Sequence, residues 1–339
     1  MKARCTNCGE TRNSGALAYL CNCGGIYSYE PDFKYQDGKY LANYPYLNHA
    51  VSIGETKTPI VEMGNLMLKL EYFSPTFSYK DRGTKALISF LKGQLPAGSR
   101  INEDSSGNAG ASISAYGAAA GFDVNIFVPE KTVVSKVKQI GLYGATIHKI
   151  PGSREDVSTA ARTAEGFFAS HVYNPEFRDG MREISYEIFQ QAEKMPDYIF
   201  IPVSAGTLLL GVISGFQHLL DSGEISKLPK FVAVQTEAVM PLCARMNKLP
   251  FDPKASVPSI ADALVSREPP LLELMHKAML ENGACITVSE EEIVLARNEL
   301  AAAGILVEYS SATVYAAQKK FRGDGKRLLI MSGNGLKNL

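Results

Sequence analysis

Short apolar runs that stop at a proline or a small polar residue recur along the chain, and between them lie longer stretches rich in alanine and leucine. Val124-Asn125-Ile126-Phe127-Val128 stops at Pro129, and Tyr198 to Val203 stops at Ser204. Phe231 to Gln235 and Leu328 to Met331 carry apolar residues on both faces. Such runs predict strands of a parallel sheet covered on either side. The segments between them read as helices at 84–92 and 111–120, with a third from about Leu208. A fourth is predicted over 290–303, where Ser289 and Glu292 form a capping box and Gly304 supplies the stop. From about residue 60 this alternation predicts an α/β protein with parallel strands. Residues 250–270 hold five of the 17 prolines and predict an irregular connection. No internal repeat is visible.

The chain ahead of residue 60 has another texture. Four of the six cysteines stand at Cys5, Cys8, Cys21 and Cys23. They are followed by Tyr27, Tyr29, Tyr35, Tyr40, Tyr44 and Tyr46, broken by Pro31 and Pro45. So aromatic an arm, without helical periodicity, is predicted to lie along another surface rather than to fold alone. Four thiolates within 19 residues can form a tetrahedral structural zinc site, which a segment this small would need in order to fold. The alternative is a set of reduced cysteines in an arm that binds no metal. Lys2, Arg4 and Arg12 are offset by Glu10 and Glu30, so the ribbon reads as structural rather than as a nucleic-acid binder. Cys243 and Cys285 read as core thiols. The five histidines are scattered without ligand spacing, and none is assigned a role.

Composition narrows the classes. The 339 residues, 45% of them hydrophobic, are enough for about two domains with real cores. Lys and Arg total 35 against 35 Asp and Glu, which excludes a broadly basic nucleic-acid coat and a polybasic membrane anchor. Balanced charge and ordinary apolar content exclude low-complexity disorder, and six cysteines are too few for a disulfide scaffold. No signal-peptide core is seen at the start. The uncharged run between Asp197 and Asp221 is long enough to span a bilayer, but Pro202, the Ser204-Ala205-Gly206-Thr207 turn, Gly211 and Gly215 interrupt it. It reads as a buried strand, a turn and a buried helix, and the expected location is cytoplasmic.

In open α/β sheets ligands gather at the carboxyl ends of strands, where helix N-termini offer free N–H groups. Three Gly/Ser/Asn-rich turns occupy such positions. Glu103-Asp104-Ser105-Ser106-Gly107-Asn108-Ala109-Gly110 leads into the helix predicted at 111–120. Its residues suit an anion or polar-ligand cradle, and equally an ordinary helix cap. Ser204-Ala205-Gly206-Thr207 could hold a phosphate or simply join strand to helix. Ser332-Gly333-Asn334-Gly335-Leu336-Lys337 follows the last predicted strand, where its glycines permit close approach to a ligand. No Walker-type or Rossmann glycine motif occurs in them, which argues against a nucleoside triphosphate or NAD. A fourth segment, Ser74 to Gly83, places Lys80 at a helix start two residues before Arg82, where the helix dipole disfavours a cation. A neighbouring cation and a helix N-terminus both favour a neutral, nucleophilic amine, as a Schiff-base lysine needs.

Taken in order, these segments resemble the fold-type II pyridoxal-phosphate enzymes of the tryptophan synthase beta-like superfamily, and within them the threonine synthase family. Pro75-Thr76-Phe77-Ser78-Tyr79-Lys80-Asp81-Arg82-Gly83 is similar to the family's PTGSFKDRG, and SSGNAGAS is intact from Ser105 to Ser112. Ser332 to Lys337 resembles TGxGLKD, and Gly304 to Ala312 resembles GIFVEPSSA. The cysteine ribbon recurs in many members.

The resemblance implies two open parallel-sheet domains and an N-terminal ribbon of four cysteines. Residues 1–30 would form the ribbon, 31–64 an aromatic arm, 65–165 a smaller α/β domain and 166–339 a larger one. Lys80 would carry pyridoxal phosphate and act as the base at the substrate α-carbon. Asn108 would bond the ring hydroxyl, and Ser105 and Ser106 the substrate carboxylate. The backbone of Ser204, Ala205, Gly206, Thr207 and Leu208 would take the cofactor phosphate. Ser332 would face the pyridine nitrogen, where a hydroxyl leaves the ring neutral and suits elimination and replacement rather than transamination. Cys5, Cys8, Cys21 and Cys23 would hold zinc, a small amino acid would be the substrate, and the assembly would be a homodimer.

The sequence departs from the family at three places. Phe77 replaces a glycine, and the phosphate turn has one glycine where the family has two or more. In Asn174-Pro175-Glu176-Phe177-Arg178, Arg178 stands for the arginine that helps bind the substrate phosphate, but Met181 and Glu183 then replace a Gln and a Thr. A carboxylate there would weaken phosphate binding unless Arg182 pairs with it. The implied reaction is conversion of O-phospho-L-homoserine and water to L-threonine and phosphate. The alternative is β-elimination or β-replacement on serine, threonine or phosphoserine, as in a dehydratase or a cysteate-synthase-like enzyme. A vestigial, non-catalytic binding protein is a third reading, opposed by the presence of Lys80, Asn108 and Ser332.

Overall fold

The computed structural model describes all 339 residues except Ser14, Val133, Ser256 and Leu339, together with the side chains at 134–136 and 338. The strands are β1 (Ala3–Cys5), β2 (Tyr27–Tyr29), β3 (Ile60–Met63), β4 (Leu66–Leu70), β5 (Arg100–Glu103), β6 (Asp123–Pro129), β7 (Thr146–Ile150), β8 (Phe167–Phe168), β9 (Tyr198–Pro202), β10 (Lys230–Thr236), β11 (Gly283–Val288) and β12 (Arg327–Met331). The chain divides into two compact units, one of Met1–Glu55 with Lys80–Met181 and one of Thr56–Tyr79 with Arg182–Leu339.

The first unit is built on a parallel sheet in the order β7-β6-β5-β8. Ile126 and Val128 on β6 and Ile101 on β5 are fully buried, as continuous apolar runs require. Helix Lys80–Gln94 packs on helix Asn108–Ala120 and crosses the short helix Pro175–Gly180. The last crossing depends on two glycines. A Cβ on Gly83 would lie 2.5 Å from the Phe177 carbonyl, and one on Gly180 would lie 2.5 Å from the Arg82 carbonyl. Gly83 in a helix interior costs about 1 kcal/mol, which the close approach offsets.

The ribbon and the Tyr arm also belong to this unit. β1 and β2 pair antiparallel, and Tyr35 and Tyr44 are buried. Tyr46 stacks on Tyr29 at 4.4 Å and donates its hydroxyl to Asp179 at 3.0 Å, while Tyr44 reaches the Gly180 carbonyl. The arm lies along another surface, as its composition predicts.

The second unit carries a six-stranded sheet in the order β11-β10-β9-β12-β4-β3, parallel except for the edge hairpin β3–β4. Strands expected from Tyr198, Phe231 and Leu328 are present as β9, β10 and β12, and helix Glu290–Ala302 has the Ser289/Glu292 capping box. The uncharged run after Asp197 resolves into β9, a turn and helix Thr207–Ser222. Among the described residues no helix is long and apolar enough to cross a membrane.

Three expectations change. The helices expected at 84 and 111 begin earlier, at Lys80 and Asn108, so each motif residue opens its helix. Cys243 and Cys285 are buried as expected but joined as a disulfide, because β11 brings Cys285 within a Cα distance of 5.1 Å of Cys243 on the neighbouring helix Pro241–Asn247. The sheets are not contiguous in sequence either. β4, placed with the smaller domain by the boundary at 65, pairs with β12, and β8, placed with the larger, pairs with β5. Parallel pairing joins strands distant in sequence, which periodicity does not encode.

Candidate active site

In the first unit, Lys80 is the first residue of its helix. The two residues after it are buried, and Asp81 accepts a 2.6 Å hydrogen bond from Ser112 on helix Asn108–Ala120. The Lys80 Nζ lies 5.8 Å from the centroid of the Phe177 ring. Ser105 to Asn108 leave the carboxyl end of β5 and enter the next helix, whose cap at Gly107 uses no side chain. Its N-terminal N–H groups are therefore not satisfied by a capping residue. The loop is tight, because a Cβ on Gly110 would lie 2.0 Å from the Ser105 carbonyl.

Arg178 is buried. It donates through Nη2 to the Tyr27 carbonyl of β2, whereas its Nη1 has no partner among the described residues. Burial pulls the guanidinium down to about 10, against Asp179 and Glu176, so it stays charged at neutral pH. Two residues earlier, Glu176 accepts from Arg12 and, at 2.8 Å, from Tyr29. Ribbon and Arg178 helix are thus locked by buried ionic and hydrogen bonds.

In the ribbon, Cys5 Sγ lies 3.5 Å from Cys23 Sγ, and Cys8 Sγ lies 3.6 Å from Cys21 Sγ. All four sulfurs are within 4.8 Å of one another, an arrangement that fits one tetrahedral ion.

In the second unit, Ser204 to Leu208 follow β9 at its carboxyl end. Gly206 caps helix Thr207–Ser222 at φ +99° without a side-chain bond, leaving the first N–H groups of a 16-residue helix open to an anion. A Cβ there would lie 2.4 Å from Met275 Sδ. Gly206→Ala is expected to cost about 1–2 kcal/mol from the left-handed backbone. Met275, being flexible, can move. Denaturant melts of the two proteins measure this.

Ser332 follows β12 and is buried. Its hydroxyl lies 2.8 Å from that of Ser311, which also accepts the Gly333 N–H at 2.8 Å. The Ser332 carbonyl accepts the Tyr79 N–H at 3.0 Å, and Asn334 donates to the Phe77 carbonyl at 3.1 Å. The segment up to Tyr79 is thereby fastened to the terminal loop. Ser78 Oγ, fully buried there, has no partner among the described residues. Ser311 escaped sequence reasoning, although it lies inside the matched Gly304–Ala312 segment.

Phe77 sits at φ +67° with half its surface exposed. The family's glycine at this position now has a physical reason. Truncating Phe77 to Ala or Gly removes the same side-chain contacts apart from one methyl, so their difference isolates the backbone. The left-handed strain of about 1–2 kcal/mol exceeds glycine's usual disadvantage of about 0.5–1 kcal/mol. Phe77→Gly should therefore be more stable than Phe77→Ala by about 0.5–1 kcal/mol, the reverse of the ordinary order, as read from paired urea melts.

The residues fit pyridoxal phosphate. An uncapped helix start follows a left-handed glycine, a buried serine hydroxyl ends β12, a buried Ser78 hydroxyl lacks a partner among the described residues, and a lysine opens a fixed helix. Two open, largely parallel sheets with such loops at their strand ends define a fold-type II pyridoxal-phosphate enzyme. The chain belongs to the pyridoxal-phosphate dependent enzyme family, whose pattern matches residues 51–333.

It is 29% identical to a threonine synthase of Methanocaldococcus jannaschii, covering 100% of this chain and 93% of that protein. A threonine synthase of Methanosarcina acetivorans is 28% identical over 94% of this chain and 86% of its own. Among solved structures, maize serine racemase superimposes with a TM-score of 0.70 at 20% identity, covering 87% of this chain and 91% of its own. A fungal L-serine ammonia-lyase from Rhizomucor miehei does so with a TM-score of 0.69 at 21% identity, covering 84% and 95%. At those identities the structural likeness establishes the fold alone.

Proposed function

We propose that this chain is a pyridoxal-phosphate-dependent threonine synthase that converts O-phospho-L-homoserine and water to L-threonine and phosphate. The observation that carries the reading is its end-to-end similarity to threonine synthases, with Lys80 opening its helix and, among the described residues, an unpartnered Arg178 Nη1 on a buried, charged guanidinium. Pyridoxal phosphate, held by Lys80, would supply the electron sink for a carbanion at the substrate α-carbon.

The remaining roles fall to the chain's own groups. Lys80 moves protons at the α- and β-carbons. Asn108 bonds the cofactor's ring hydroxyl, and the N–H groups from Ser204 to Leu208 hold its phosphate. Ser332, oriented by Ser311, presents a hydroxyl to the ring nitrogen. Ser105 and Ser106 hold the substrate carboxylate, and Arg178 Nη1 meets the substrate phosphate.

The test is a panel of phosphohomoserine, phosphoserine and threonine with product identification. Inorganic phosphate and threonine from phosphohomoserine support the proposal. Met181 and Glu183, in place of the family's Gln and Thr, favour the second reading, β-elimination or β-replacement on serine, threonine or phosphoserine. Pyruvate, 2-oxobutyrate or cysteate as the product would establish it.

Zinc is proposed on Cys5, Cys8, Cys21 and Cys23, where it would fix the ribbon. Metal analysis should then return about one zinc per chain, and chelation should lower the melting temperature. A cytoplasmic homodimer completes the proposal, with fractionation and light scattering as its checks.

A further inference from the structure

We propose that His171 and Glu103 form a proton relay beside Lys80, serving the leaving oxygen of the substrate and then the incoming water. The inference rests on the reading of function above. Glu103 ends β5 immediately before the Ser105–Asn108 loop, and His171 lies just beyond β8, the neighbouring strand. The fully buried Glu103 carboxyl grips His171 twice. One oxygen accepts the backbone N–H at 3.2 Å, and the other lies 2.6 Å from Nδ1. Nδ1 is thereby committed, which leaves Nε2 as the ring nitrogen for a ligand. The imidazole side chain retains 14% exposure, enough for contact with a small molecule.

Its surroundings point the ring toward chemistry rather than mere packing. Phe177 meets the His171 ring edge-on at 5.9 Å and presents its face to Lys80 Nζ at 5.8 Å, so amine and imidazole flank one aromatic ring. The charged groups facing the pair are Lys80, Asp104 and Arg154. Arg154 is bound to Asp104 at 3.2 Å. Glu103, Asp104 and His171 have the composition of a metal cluster, but Arg154 occupies Asp104 and the other two hold each other.

Burial, with the charge of Asp104, pushes the Glu103 carboxyl well above the usual range. Burial and then Lys80 push the His171 imidazole well below its own. Both directions favour the uncharged forms, and the proposed relay assigns one proton to Glu103, directed at Nδ1, and a second to Nε2.

In the elimination, the leaving oxygen departs from carbon and takes the Nε2 proton. Nδ1 takes the Glu103 proton, and Glu103 becomes a carboxylate while the ring stays neutral. When water adds, its oxygen bonds to carbon and its proton passes to Nε2. The Nδ1 proton then returns to Glu103. No proton is gained or lost over the cycle. Because the acid step needs the protonated pair, turnover should fall as pH rises through the raised pKa of Glu103.

The test uses the holoenzyme with phosphohomoserine, comparing His171→Gln and Glu103→Gln with the parent. Borohydride labelling of Lys80 and thermal melting serve as controls for cofactor loading and fold. Both variants should lose about 100-fold or more in kcat, keep KM within about threefold, and lose the descending alkaline limb of the pH profile. A parent-like kcat with the alkaline limb intact in either labelled variant overturns the relay. A raised KM or lost labelling at unchanged kcat also overturns it, since it marks a structural role. If the parent itself is unlabelled at Lys80, the reading of function falls first and the relay falls with it.

Discussion

Lys80→Ala is expected to fold and to lose turnover by about 10⁴-fold or more, since the amine is asked both to hold the cofactor and to transfer protons, each proton transfer alone being worth about 10²–10⁴. The fold should tolerate the change. The helix is anchored by residues other than Lys80, namely buried Asp81 bonded to Ser112 and the close crossing of Gly83 on Gly180. Alanine is the best helix former and Lys80 is partly exposed, so the substitution is expected to change stability by about 1 kcal/mol or less. Paired melting curves and steady-state rates separate the two effects. A variant that melts with the parent and retains more than about a tenth of its rate contradicts Lys80's assignment.

The second large effect is on stability. Arg12 is almost fully buried between the ribbon and the helix that carries Arg178. It donates to Glu176, to Tyr29 at 2.7 Å and to the Ala18 carbonyl at 3.1 Å, and its guanidinium lies 5.3 Å from the Phe90 ring centroid. Arg12→Ala strands Glu176, which has no solvent exposure, without its cation. Breaking a buried pair on one side costs about 3–5 kcal/mol, a large part of the roughly 5–15 kcal/mol that holds a folded protein. Arg12→Met combined with Glu176→Gln should recover most of the loss, because it leaves no unpaired buried charge. Urea denaturation of the single and double variants decides this. A single-variant loss below about 1 kcal/mol would show that the ribbon is not fastened through this pair.

Much of the architecture was legible because each strand announced itself locally. The runs at 124–128, 198–203, 231–235 and 328–331 are short and largely apolar, and each supplies a mostly buried strand, with Val203 alone falling just beyond its strand. The capping box at Ser289 was readable for the same reason, since donor and acceptor lie within four residues. Pairing was not legible. Nothing local to Leu66–Leu70 indicates a partner at Arg327–Met331, nor does Cys243 indicate its bond to Cys285.

The candidate site divides along the same line. Lys80, Asn108, Gly206 and Ser332 stand in compact motifs, and the structure puts each at a helix start or strand end. Ser311 and His171 depend on contacts across 21 and 68 residues, which spacing does not encode. Arg178 was found by its motif, but its burial and its tie to the Tyr27 carbonyl became visible only once the ribbon was folded against it.

The chemistry assigned to this chain depends on the amine at position 80 carrying the cofactor. Borohydride reduction of the resting holoenzyme, followed by peptide mapping, addresses it directly. A phosphopyridoxyl group on Lys80 and on no other lysine is the predicted result. An active protein in which the Lys80 peptide emerges unmodified would contradict it.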